Sequence, residues 1–250
     1  MSAAPQLGAF PVEGMGEVKE GDRIGELVAA RFDLADRDVV VISQKVVSKS
    51  EGRVVSLAEV EPGERARRLA SELGKDAALV EVILAESADV LRAERGVIIS
   101  RTHHGFVCAH AGVDTSNVSA GHAALLPHDP DGSARRIREQ LAAVAGVHPA
   151  VIVSDSFSRS WRLGQIEVAI GCAGLSPLDD WRGRQDLEGH ELAATLIAIA
   201  DEAAGAADLV RDKASGTPAV VIRGLARYVT LEDGPGAAAL RRPEQQDLFR

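Results

Sequence analysis

The sequence predicts an α/β fold, mixed α+β in detail, built of mixed sheets with flanking helices. Three observations lead there. Short apolar runs such as Val39-Val40-Val41-Ile42 alternate with stretches whose apolar residues recur at helical spacing. Of the 250 residues, 46% are hydrophobic, far above the level of a disordered chain, so a packed core is expected. Every apolar run falls well short of the ~18–20 residues that span a bilayer, which excludes a membrane protein.

The start, Met1-Ser2-Ala3-Ala4-Pro5, lacks the basic and apolar segments of a secretory signal. Asp22 to about Phe32 reads as a short amphipathic helix, with Ile24, Leu27, Val28 and Phe32 at helical spacing. Asp38 to Ser43 reads as a buried strand, and Ser48-Lys49-Ser50-Glu51-Gly52-Arg53 as a polar turn. Glu61-Pro62-Gly63-Glu64 opens a helix that Gly74 breaks, and Ala77 to Ala85 resumes one. Short strands are expected across Asp89 to Ala109. Asp131 to Ala145 predicts a helix with Arg135, Arg136, Arg138 and Glu139 toward solvent, followed by the strand Ala150 to Ser154. Glu188 to about Val210 reads as one Ala-rich helix with Leu192, Leu196, Ile199 and Ala203 on a stripe, and Ala219 to Ile222 as the last strand. Residues 1–233 thus form the folded unit, with two subdomains allowed, and 234–250 read as a poorly ordered tail or a truncated linker.

The formal charge of −9 argues against a phosphate-tracking surface, so no nucleic-acid partner is expected. Cys108 and Cys172 are too few for a disulfide framework or an all-thiolate zinc site, which points to a reducing, cytoplasmic setting. Both read as small buried residues. No G-x-x-x-x-G-K-[ST], G-x-G-x-x-G or G-x-S-x-G motif is present, so any anionic ligand needs a metal ion or a local basic pocket.

Two polar segments follow apolar strands and place a carboxylate where α/β sheets usually meet ligands. The first runs from Arg101 to Val118 and holds Asp114 and Asn117; the second runs from Val151 to Arg162 and holds Asp155 and Ser156. Together they offer an all-oxygen donor set suited to Mg2+ or Mn2+, with Arg159 and Arg162 as fixed positive charge for a nucleoside triphosphate. Both aspartates also fit as ordinary helix caps or turn residues. Lys45 and Lys49 flank the exit of the first strand, as phosphate contacts or solvated turn residues. His103, His104, His110, His122 and His128 crowd one stretch but match no zinc spacing, so they read as scattered surface and core histidines.

The run from His104 to Val118, HGFVCAHAGVDTSNV, resembles the H-G-F-V-x-A-x-A-G-V-D-x-S-N-V signature of the coenzyme F(420)-0:L-glutamate ligases, or F(420) gamma-glutamyl ligases. Asp155 to Arg162, DSFSRSWR, resembles that family's D-[ST]-F-G-R-P-W-R motif. Ser43 to Lys49 and the helix carrying Asp201, Glu202 and Asp208 are also similar, and the likeness runs from about Phe10 to Tyr228.

The resemblance implies an enzyme that uses GTP to join L-glutamate to the lactyl carboxylate of coenzyme F(420)-0 through an acyl phosphate, and then extends a gamma-linked glutamate tail. It implies an intertwined homodimer, two divalent ions (Mg2+ or Mn2+) and potassium stimulation. Carried over, Asp114 and Asp155 bind one metal and Ser156 a second. Met15, Gly16, Glu17, Val18, Gln44, Lys45, Lys49 and Asn117 contact GTP. The base for the glutamate amine is unassigned, with His103, His104 and Glu202 as candidates. Ser158 and Ser160 replace the usual Gly and Pro, and Lys213 replaces a metal-facing carboxylate or amide. Some relatives add a flavin-reductase-like domain after this one. Two competing readings are a metal-dependent phosphohydrolase and a non-catalytic nucleotide-binding partner in cofactor assembly.

Overall fold

The run Val39–Ser43 has no polar face because helices cover both of its sides. The computed structural model describes residues 6–211 and 216–247. In chain order it runs β1 (Gly8–Pro11), α1 (Ile24–Ala29), β2 (Val39–Ser43), α2 (Gln44–Ser50), β3 (Val54–Ser56), α3 (Glu64–Leu73) and α4 (Ala77–Ala85). Then come β4 (Ser87–Glu94), β5 (Val97–Thr102), β6 (Val107–Ala109), β7 (His122–Ala124), α5 (Pro130–Ala145), β8 (Ala150–Arg159) and β9 (Arg162–Ala173). The chain continues with β10 (Asp179–Asp180), β11 (Leu196–Ile197), α6 (Ile199–Asp208) and β12 (Ala219–Arg223).

The main sheet has the order β1-β12-β2-β8-β9, in which only β2 and β8 are parallel. Alternate residues of β2 enter different cores, as the strand period of two requires. Val40 and Ile42 join Val151, Val153 and Val221 beneath α1 and α5. Val39 and Val41 join Ile152, Val220 and Ile222 against Ile199, Ala203 and Ala207 of α6. A third core belongs to a smaller unit, where α3 and α4 pack Ala66, Ala70, Val80 and Ile83 against Ile98, Val113 and Leu125. Its strands form a β4-β5-β6 sheet and a β3-β7 ribbon.

Local chemistry sets most boundaries. The Asp76 carboxylate accepts from the Ala78 and Leu79 N–H groups at the start of α4, and Asp129 accepts from Gly132 at the start of α5. Gly74 and Gly146 end α3 and α5 in the left-handed region. Gly171 of β9 is needed for close approach: a Cβ there would lie 2.2 Å from the Pro130 carbonyl oxygen. Gly171→Ala is expected to cost about 2 kcal/mol, measured by chemical denaturation, because backbone must move to admit the methyl group.

Several expectations change. The helix expected from Glu188 begins only at Ile199. The Asp186 carboxylate accepts from the Glu188 and His190 N–H groups, local bonds that compete with helix, and Leu196 pairs in β11 instead. The polar turn expected at Ser48 is partly α2, which follows β2 directly. The strand expected to end at Ser154 continues to Arg159 because β9 pairs with it. Arg138 is buried, binding the carbonyls of Pro149, Thr230 and Leu231 and the Asp233 carboxylate. That anchor carries the chain on, and where a poorly ordered tail was expected Ala237 is buried, its N–H donating to Asp131, and Leu240 packs on the α6 core. Residues 248–250 lie outside the described residues.

Candidate active site

The adjacent carboxyl ends of β2 and β8 open into a cleft of about 600 Å3. Chain leaving β2 turns into α2 and brings Gln44, Lys45 and Lys49 to one wall. The extension of β8 beyond a register shift at Val153/Ser154 carries Asp155 and Ser156 along a second. The smaller unit supplies Asp114 and Asn117, and Gly16, Glu17 and Val18 close another side. The cleft thus gathers all the residues that the family resemblance marks except Met15, whose side chain is buried in the α1/α5 core.

Asp114 is held by its own loop and by α2. Its carboxylate accepts from the Ser116 N–H at 2.7 Å and from the Ser116 hydroxyl at 3.0 Å, a local turn of the kind aspartate favours. The Lys45 ammonium lies 2.8 Å from Asp114 Oδ2 and also donates to Ser116 at 2.7 Å. Burial pushes the Asp114 carboxyl up, but the hydrogen bonds from Lys45 and Ser116 outweigh it and hold the group below the ordinary carboxylate range. Asp114 is therefore both a turn residue and an ionised wall of the cleft.

Asp155 is neither cap nor turn, since it sits inside β8 opposite Val168. Burial, and then the negative charges of Glu167 and Asp114, push its carboxyl up to about 7. Glu167, on β9, accepts from the Ser156 hydroxyl at 2.5 Å and from Arg211 Nη1 at 3.2 Å. Arg211 also donates to Ser154 at 3.4 Å, while its Nε and Nη2 are buried with no hydrogen-bond partner.

Sequence reasoning did not single out Glu167 and Arg211, because neither lies in a motif segment. The only local signal was a glutamate between Ile166 and Val168, alternating with apolar residues as on a half-buried strand. The positive charge was also misplaced. Arg159 and Arg162 sit at the tip of the β8-β9 hairpin, where Arg159 donates to the Leu163 carbonyl, and neither lines the cleft. Lys45, Lys49 and Arg211 line it instead. Ser158 lies in β8 and Ser160 in the tight turn that joins β8 to β9, and Lys213 falls outside the described residues.

The histidines behave as scattered residues. His103 bonds the Ala85 carbonyl, His104 those of Pro127 and His128, and His122 that of Ala120. His103, His104 and Glu202, the candidate bases, all lie off the cleft lining. Burial pushes both thiols up to about 12, so Cys108 and Cys172 stay protonated and inert.

Among the described residues, no three His, Cys, Asp or Glu side chains form a metal-holding group. A divalent ion held wholly by protein ligands does not fit the described residues. One that takes one or two carboxylates and completes its shell with water and phosphate oxygens does, since that is how Mg2+ is usually held. The negative charges of Glu167 and Asp114 add to burial in disfavouring the ionised form of Asp155, which a cation at the carboxylate would relieve.

The fold and site define an α/β protein: a helix-flanked mixed sheet whose cleft sets acidic oxygens against lysines. Residues 14–224 match the model of one family, F420-0:Gamma-glutamyl ligase. The Coenzyme F420:L-glutamate ligase of Methanothermobacter thermautotrophicus is 46% identical over 245 residues, covering 96% of this chain and 97% of that protein. That of Methanopyrus kandleri is 43% identical over the full length of both, and that of Haloarcula marismortui 42% over 96% of this chain and 95% of its own. The chain belongs to the F420-0:gamma-glutamyl ligase family, a family of ligases.

Proposed function

We propose that this protein joins L-glutamate to the lactyl carboxylate of coenzyme F420-0 at the expense of GTP, and repeats the step to build a gamma-linked tail. One observation carries the proposal: carboxylates and cations from four separate chain segments line a single cleft, in the protein of a family named for this ligation.

Joining an amine to a carboxylate in water is uphill, so the carboxylate must become an electrophile. In the proposed sequence its oxygen attacks the γ-phosphorus, the bond to GDP breaks, and an acyl phosphate forms. The amine nitrogen then attacks the acyl carbon, phosphate leaves and the amide remains. Lys45, Lys49 and Asn117 would hold phosphates, with Gly16, Glu17, Val18 and Gln44 around the rest of the nucleotide. Met15 contributes only through its backbone. Asp114, Asp155 and Ser156 would hold Mg2+ or Mn2+. Two such ions would spread the charge that develops on the transferring phosphoryl group. Potassium stimulation would act on the same polyanion. Confining three substrates together supplies effective concentration, up to roughly 7–11 kcal/mol.

No helix among the described residues is long and apolar enough to cross a membrane. Two inert, unpaired thiols support a reducing cytoplasmic setting. The β8-β9 tip supports a homodimer: Leu163 is 99% exposed and Trp161 82% exposed on an arm that projects from the sheet. Leu163→Glu is expected to shift the protein toward monomer in sedimentation experiments.

Purified protein supplied with GTP, F420-0, L-glutamate and Mn2+ should release GDP only when both acceptor and glutamate are present. GDP release without acceptor would favour a phosphohydrolase. Tight GDP binding with no product would favour a non-catalytic nucleotide-binding partner.

A further inference from the structure

Amide formation needs a group to take the proton of the attacking amine, and the family signature assigns none. His110 occupies an unspecified position of that signature, four residues before Asp114. Among the described residues it is the one histidine lining the cleft.

Its placement is built into the backbone. His110, Ala111 and Gly112 have successive φ values of +55°, +54° and +73°, a left-handed turn between β6 and Asp114. Non-glycine residues held there cost of order 1 kcal/mol or more each, and persist only where surrounding packing fixes them. Here Ala111 is buried, and a Cβ on Gly112 would meet the Leu126 side chain at 2.7 Å. The turn therefore fixes the backbone of His110 at the cleft wall. Its Nδ1 is buried without a partner, and the residue as a whole is half-buried on the cleft lining.

Other groups on the lining are committed, Asp155 to the cation in the reading above. Asp114 accepts from Lys45 and Ser116, and Glu167 from Ser156 and Arg211. Asp208 already has contacts of its own, and Lys45 and Lys49 are cations. Glu17 is exposed, on the segment assigned to the nucleotide. The charged group facing His110 is Lys75, from the turn between α3 and α4. Burial, then the charge of Lys75, hold the imidazole below its ordinary range, so at neutral pH the ring has a lone pair to offer.

We propose that His110 is the general base of the ligation, its Nε2 taking the proton that the glutamate nitrogen loses as the carbon–nitrogen bond forms and phosphate departs. The inference rests on the acyl-phosphate reading above, and the two can fail separately.

The test compares glutamate with hydroxylamine, a nucleophile that is already unprotonated at neutral pH and traps acyl phosphates as hydroxamates. His110→Asn suits it, because asparagine tolerates the left-handed region. The variant, with GTP, Mn2+ and F420-0, should form hydroxamate at a near wild-type rate. Its ligation of glutamate should fall about 10²-fold at neutral pH and recover as the pH is raised toward the pKa of the amine. Equal loss with both nucleophiles, or undiminished ligation of glutamate, would overturn the role of His110. If the wild-type enzyme ligates glutamate yet yields no hydroxamate, the acyl phosphate is wrong. The glutamate pH profile still decides on His110 in that case: a rate of His110→Asn that does not rise with pH overturns the base.

Discussion

Replacing Asp155 with Asn is expected to lower ligase turnover on the order of 10³-fold, the scale of losing a preorganised charge at a transferring group. The protein should stay folded, because Asn is nearly isosteric and the β8-β9 ladder around it uses backbone groups. A stability signature should accompany the loss. In the folded protein Asp155 titrates near 7, against 3.8 for an unperturbed aspartate, so between those values the folded state binds more protons than the unfolded chain. Stability of the metal-free protein due to this group therefore falls as pH rises from about 4 to 7. A divalent ion at the carboxylate would remove the trend by favouring its charged form. Thermal unfolding across that window, with EDTA or with Mn2+, should show a slope in wild type that both Mn2+ and Asp155→Asn flatten. Near-normal activity of the variant would remove Asp155 from the site.

Glu167→Gln is expected to damage stability and activity together. Glu167 and Arg211 form a pair whose side chains are only 6% and 8% exposed. Removing the negative partner leaves a buried guanidinium without its counter-charge, a loss of about 3–5 kcal/mol in comparable cases. Ser156 exchanges a charged acceptor for a neutral amide oxygen at the same time, and activity should drop about 10- to 100-fold, the range for residues that orient metal ligands. Adding Arg211→Met should restore much of the stability, since replacing both members of a buried pair is often neutral. It should not restore activity. If urea denaturation gives additive losses for the two substitutions, the pair is not coupled.

The fold was legible where one residue period sufficed. Val39–Ser43, Ala150–Ser154 and Ala219–Ile222 are continuous apolar runs, and both their burial and their strand character follow from that. Asp129-Pro130 and Gly146 likewise announce both ends of α5. Elements defined by a distant partner were not legible. β9 exists because β8 pairs with it, and its outer half, Arg162 to Gln165, has no apolar alternation to announce a strand. The stripe through Leu192 and Leu196 suggested helix, but Leu196 is exposed and pairs in β11, and Asp186 organises a turn instead.

The site divides in the same way. Asp114, Asp155, Ser156 and Asn117 lie in two dense polar motifs. Glu167, Arg211 and His110 acquire meaning only from what folds against them. Arg138 shows the reverse error, since a guanidinium on an apparently polar helix face is recruited to close a loop more than ninety residues away.

The central claim is that Asp114 and Asp155, on separate units of the fold, hold divalent cations that grip the phosphates of GTP in one cleft. A crystal soaked with GDP and Mn2+ and read by the anomalous signal of manganese tests it most directly. The account predicts Mn2+ in contact with carboxylate oxygens of both residues, and the diphosphate between them and Lys45 and Lys49. Manganese that touches neither aspartate, or GDP bound outside this cleft, would contradict it.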